Sequence, residues 1–122
     1  MITGLVTDRL EGIIHVEVYG PNGENLRVAV IVDSGFDGCL TLPLVLIESL
    51  GLPLRQRGRA ELADGTTTLY DTYEGTVTWD GQPLRIKVDS AETTLLLGMG
   101  LLKGFELTMQ VIANGRVMIS RL

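Results

Sequence analysis

The chain has 122 residues, the usual length of one domain, and its 45% apolar and 20% charged content suits a packed core and excludes a disordered segment. Its formal net charge of −5, with ten scattered Lys and Arg against fifteen Asp and Glu, provides no basic surface for phosphate and argues against a nucleic-acid partner. With one cysteine there is no intramolecular disulfide, and no run reaches the roughly 18 apolar residues of a membrane span, so the expectation is a single cytoplasmic domain over residues 1–122 with no membrane association.

The opening Met1 to Arg9 has no charged stretch leading into a long apolar run, so no processing is expected. Fifteen glycines fall mostly between short apolar or alternating runs, the pattern of strands joined by tight turns, and the class reads as mainly β. Ile13 to Tyr19 alternates, with Ile14, Val16 and Val18 opposed to His15 and Glu17, and closes on Gly20-Pro21-Asn22-Gly23. Leu26 to Val32 should pair with it, and its run Val28 to Val32 is apolar on both faces, as in a strand covered on both sides.

Pro43 to Leu50 reads as a short helix: Pro43 suits a first turn, Gly51 a left-handed stop, and Pro53 blocks continuation. Asp64-Gly65, Asp80-Gly81 and Asn114-Gly115 each signal a two-residue hairpin turn. The strands they join are Arg59–Ala63 with Thr66–Tyr70, Gly75–Trp79 with Leu84–Val88, and Leu107–Ile112 with Val117–Ile119.

Chemistry concentrates at Asp33, which follows the apolar run Val28 to Val32 and enters the turn Ser34-Gly35. A carboxylate at the end of a buried strand needs partners or a raised pKa, because uncompensated burial costs several kcal/mol. One reading is a turn aspartate accepting backbone N–H bonds from the residues that follow. A second Asp-Ser, at Asp89-Ser90-Ala91, follows the half-exposed strand Arg85 to Val88, lacks the glycine, and reads as a surface turn.

The wider setting of the first motif is Val30-Ile31-Val32-Asp33-Ser34-Gly35-Phe36, then Leu40-Thr41-Leu42-Pro43, the Asp64-Gly65 hairpin, and Leu95-Leu96-Leu97-Gly98-Met99. This order resembles the retropepsin-like (clan AA) aspartic peptidases, in particular the small single-lobe prokaryotic type, and the resemblance spans nearly the whole chain. It implies a closed retropepsin-like β-barrel, the acid protease fold, with one or two short helices, active as a homodimer. It makes Asp33 the catalytic carboxylate, Ser34 the hydroxyl that braces the two loops across the dimer, and Gly35 a close-approach position. Phe36 and the flap tip Ala63, Asp64, Gly65, Thr66 and Thr67 would bind substrate. Leu96, Leu97 and Gly98 would form the structural motif passing behind the Asp33 loop. Two departures from the family pattern stand out: Ser34 replaces the commoner threonine, and Asp64-Gly65 replaces the glycine-rich tip of viral flaps.

The resemblance further implies an aspartic endopeptidase. Two carboxylates sharing one proton can both activate water and polarise a peptide carbonyl, whereas one cannot, and the chain holds one good copy of the motif. The second Asp33 must then come from another copy of the chain, related by a two-fold axis. The expected partners are therefore the chain itself and a peptide or protein substrate, with no metal and no organic cofactor. A catalytically silent dimerisation or peptide-binding module on the same fold is the alternative. A further possibility is an interaction domain pairing with another protein through an exposed Val117–Ile119 edge.

The other reactive residues read as structural. His15 reads as solvent-facing or satisfied on its strand rather than catalytic, and Cys39 beside Leu40 reads as a small buried hydrophobe. Trp79, Tyr70 and Tyr73 read as packing residues, while Arg55, Arg57 and Arg59 read as a solvated strand face.

Overall fold

In the computed structural model, residues 1–122 are described, except for the side chains of Ala60, Thr68, Leu69 and Tyr70. Ten strands and two short helices follow in the order β1 (Ile2–Val6), β2 (Gly12–Tyr19), β3 (Asn25–Val32), β4 (Leu40–Leu42), α1 (Leu44–Leu50), β5 (Leu54–Glu61), β6 (Thr67–Trp79), β7 (Gln82–Ser90), β8 (Leu96–Leu97), α2 (Met99–Leu102), β9 (Phe105–Met109) and β10 (Arg116–Arg121). The strands form one sheet in the order β5-β6-β7-β4-β8-β3-β2-β1-β10-β9, and an added β6–β2 pairing closes β2, β3, β8, β4, β7 and β6 into a ring. Ile14, Val16, Val18, Val30, Leu40, Leu42, Val77, Val88 and Leu97 are buried within it, with Ile47 and Leu50 of α1. No described helix is long and apolar enough to cross a membrane.

Alternation dictates β2: Ile14, Val16 and Val18 are buried, while His15 is exposed. α1 forms where Pro43, with φ −67°, begins a turn, and Gly51 ends it at φ 65°. Asp80 and Gly81, with φ 51° and 80°, make a two-residue turn between Trp79 and Gln82. The strand Gly75–Trp79 proves to be the second half of β6, which runs without a break from the Asp64 hairpin into the Asp80 hairpin.

Several expectations are corrected. The run Val28 to Val32 is not covered on both faces: Val28, Val30 and Val32 are buried, while Ala29 is exposed and Ile31 only half-buried. The Asp64-Gly65 turn has three residues, because the Leu62 N–H donates to the Thr66 carbonyl at 2.7 Å across Ala63-Asp64-Gly65, with Gly65 left-handed at φ 85°. Asp89 and Ser90 are no surface turn: they extend β7, and the parallel partner β4 pairs Thr41 with Asp89 and Leu42 with Ser90.

Near the C-terminus, β9 stops at Met109, and Val111 and Ile112 lie exposed in a longer connection to β10. The Val117–Ile119 segment is no edge either. It lies between β1 and β9, with Val117 and Ile119 fully buried; the outer strands of the sheet order are β5 and β9.

Candidate active site

Asp33 leaves the end of β3 as the chain begins to turn. Its carboxylate Oδ1 accepts the Gly35 N–H at 2.8 Å, and its carbonyl accepts the Phe36 N–H at 3.2 Å. The local bond is that of an ordinary aspartate turn, so by itself it satisfies the plainer reading of the motif. What surrounds the loop is not local. β8, of two residues, is wedged between β3 and β4, parallel to one and antiparallel to the other, pairing Val32 with Leu97 and Leu97 with Leu40.

That wedge fixes the loop from behind. The Asp33 N–H donates to the Leu97 carbonyl at 2.9 Å, and the Gly98 N–H to the Cys39 carbonyl at 3.0 Å. Continuing into α2, the Met99 N–H donates to the Phe36 carbonyl at 2.8 Å and the Gly100 N–H to the Gly38 carbonyl at 2.9 Å. Residues 33–39 therefore hang on a ladder of backbone bonds to residues 97–100. Gly98 is the crossing point: a Cβ there would lie 2.4 Å from the Gly38 carbonyl oxygen and 2.6 Å from that of Phe36.

The side chains around Asp33 are arranged by the same crossing. The Phe36 ring, half-buried, lies over the bare faces of Gly38 and Gly98, so part of its surface is spent on packing the loop. Ser34 and Gly35 are exposed, and the Ser34 hydroxyl has no hydrogen-bond partner among the described residues. Ala63, Asp64, Gly65, Thr66 and Thr67 sit together at the exposed tip of the β5–β6 hairpin, and no hydrogen bond links them to the Asp33 loop among the described residues. The tip is ordered internally: Asp64 Oδ1 accepts both the Thr66 hydroxyl at 2.7 Å and its N–H at 3.0 Å, which holds the Asp64 carboxyl below its ordinary pKa.

Two supporting residues escaped the sequence reading. Thr41 is 6% exposed, and its hydroxyl donates to the Thr94 carbonyl at 2.7 Å while accepting the Leu96 N–H at 2.8 Å, tying the approach to β8 onto β4. A lone threonine between two buried leucines was the available signal. Thr72, also buried, donates to Asp89 Oδ1 at 3.0 Å, and Asp89 Oδ2 faces Gly38 from below. Cys39 is half-buried beside α2, and desolvation, with Asp89 nearby, pushes its thiol up from the ordinary value.

Among the described residues no three His, Cys, Asp or Glu side chains are grouped to hold a metal ion. A surface cavity of about 240 Å³ lies between Tyr19, Pro21, Pro53, Arg55, Glu74 and Arg85, and none of the predicted site residues lines it. Arg55 and Arg57 are exposed as expected and paired with Glu74 and Asp71 across the hairpin. Trp79 and Tyr73 pack as expected, Trp79 edge-on against Phe105 at 5.7 Å; Tyr70 lies outside the described side chains.

No family model matches the chain, and no curated protein matches it. Among solved structures the chain is similar to a retropepsin-like aspartic protease from Rickettsia conorii, with 18% identity, coverage of 99% of this chain and 90% of that one, and a TM-score of 0.58. The shared property is the fold: this chain is mainly β and retropepsin-like in architecture.

Proposed function

We propose that this chain is an aspartic endopeptidase whose active site forms only when two copies pair, each supplying Asp33. The observation that carries the reading is the Asp33 turn held from behind by the Leu97–Gly100 ladder, in a fold shared with an aspartic protease. A turn aspartate with a purely local role needs none of that second layer. Rigid support within a fraction of an ångström is what a reacting carboxylate requires.

In the dimer one Asp33 is ionised and takes a proton from a water molecule, while the other is protonated and hydrogen-bonds the scissile carbonyl. The pair titrates as a unit, so both limbs of the pH profile belong to the dyad. Ser34, exposed and unpartnered within the described chain, braces the two loops across the axis. The Ala63–Thr67 tip closes over an extended peptide, which adds as a strand while Phe36 and its surroundings contact side chains. No metal or organic cofactor enters this chemistry. The test is cleavage of a mixed peptide library across pH by the wild type and Asp33→Asn. Loss of cleavage in the variant supports the dyad, and a folded dimer that cleaves nothing at any pH removes it in favour of a peptide-binding module.

A further inference from the structure

We infer that the turn Asp8-Arg9-Leu10 and the turn carrying Val111 and Ile112 form the contact with a second copy of this chain. The inference rests on the dyad reading above, which leaves the site incomplete without that copy, and names the surface that completes it.

Register fixes where these turns lie. Ile13 pairs with Ile31, Gly12 with Val6, and Leu5 with Arg116. Continuing the rows, Asp33, Glu11, Thr7 and Asn114 stand at one end of the sheet. β1 is two strand positions from β3 and β10 is three, so the turns begin about 10 and 15 Å from the Asp33 loop at about 4.8 Å per strand. A copy that brings its own Asp33 to this end of the sheet meets both turns.

The first turn is anomalous in a way the fold does not require. Three connections share one geometry: the N–H of Thr7 donates to the Glu11 carbonyl, that of Gly20 to Glu24, and that of Leu62 to Thr66, each across three residues. The last of those three residues is left-handed in every case, and it is Gly23 (φ 87°), Gly65 (φ 85°) and Leu10 (φ 61°). Glycine takes that conformation freely, whereas a leucine there is unusual. Leu10 is nevertheless 57% exposed, so packing within the chain does not repay it.

The second turn repeats the pattern of apolar exposure, with Val111 60% and Ile112 65% exposed, and Leu5 at 55% lies on β1 between the two turns. Asp8 and Arg9 are exposed and make no ion pair among the described residues. Opposite charges side by side on a turn are self-complementary about a two-fold axis, as an isologous contact requires. Together these features fit a second copy of the chain.

Sedimentation equilibrium on the full chain, with thermal unfolding of the same samples, tests this. Leu10→Gly relieves the left-handed backbone, so the fold unfolds at the same or a higher temperature while the dimer dissociation constant rises about tenfold or more. Ile112→Lys, at a site already open to solvent, weakens association at least as much and leaves the fold intact. A wild type that stays monomeric at its highest soluble concentration, or a dimer whose dissociation constant neither substitution moves, overturns the inference. Peptide cleavage read in parallel separates the two claims: a dimer that the substitutions break but that cleaves nothing upholds this surface and removes the peptidase reading. Cleavage with association unmoved does the reverse.

Discussion

Replacing Gly98 by alanine tests whether the Asp33 loop is held from behind as described. The backbone there is ordinary extended chain, at φ −110° and ψ −177°, so any cost comes from space alone. The new Cβ would sit 2.4 Å from one backbone oxygen, 2.6 Å from another, and 2.5 Å from Phe36 Cδ2. The ring can turn aside, but the two carbonyls are the acceptors of the Gly100 and Met99 N–H groups and cannot move without stretching those bonds. Overpacking of this kind costs about 1–3 kcal/mol, and weakening one or two backbone bonds adds about 1 kcal/mol, giving about 2–4 kcal/mol in all. At about 4 °C per kcal/mol for a chain of this size, Tm falls by about 8–16 °C. Gly75→Ala is the control, since the atoms nearest its Cβ would be side-chain carbons of Leu52 and Val88 at 3.4–3.5 Å, ordinary contact distances. Urea unfolding of both variants checks the ordering. A Gly98→Ala protein within about 0.5 kcal/mol of wild type, or no worse than Gly75→Ala, refutes the reasoning.

Thr41→Val removes a hydroxyl that serves both the Thr94 carbonyl and the Leu96 N–H, and leaving those groups unpaired costs about 2 kcal/mol, measured by urea unfolding; Thr41→Ser restores most of it. The N-terminal ammonium, helped by Arg121, holds the Asp80 carboxyl below its ordinary pKa. A depressed folded pKa contributes stability that is present above the unfolded value of about 3.9 and is lost as pH falls through the folded one. Asp80→Asn, which suits the same left-handed turn, therefore lowers Tm slightly at neutral pH, and the difference closes in acid; a gap that persists at pH 2 contradicts this ion-pair account. Asp64→Ala removes the acceptor for the Thr66 hydroxyl and N–H at the exposed hairpin tip, so peptide cleavage should weaken while Tm holds; unchanged cleavage detaches the tip from substrate binding.

The parts of the fold that sequence made legible are those encoded within a few residues. Asp80-Gly81 turned as its composition demands, and Pro43 and Gly51 bracketed a helix because each carries its own backbone preference. β4 and β8 have three and two residues and exist only because distant strands flank them, so no periodicity could announce them. The same non-local pairing made Asp89 a strand residue hydrogen-bonded by buried Thr72 rather than a turn, and put Val117 and Ile119 between two strands rather than at an edge. At the candidate site, the Asp33 motif and Gly98 were visible as residues, and the resemblance already put Leu96-Leu97-Gly98 behind the Asp33 loop; what sequence did not reveal was Thr41 and the further backbone bonds from Met99 and Gly100 that complete the ladder.

The central claim is that two Asp33 carboxylates, one from each copy, hydrolyse peptides. The direct measurement is cleavage of a mixed peptide library from acid to alkaline pH, at concentrations where sedimentation shows a dimer, by wild type and by Asp33→Asn, whose side chain still accepts the Gly35 N–H. The account predicts a bell-shaped profile for the wild type and no cleavage by the variant. A variant that cleaves like the wild type, or a dimeric wild type that cleaves nothing at any pH, contradicts it.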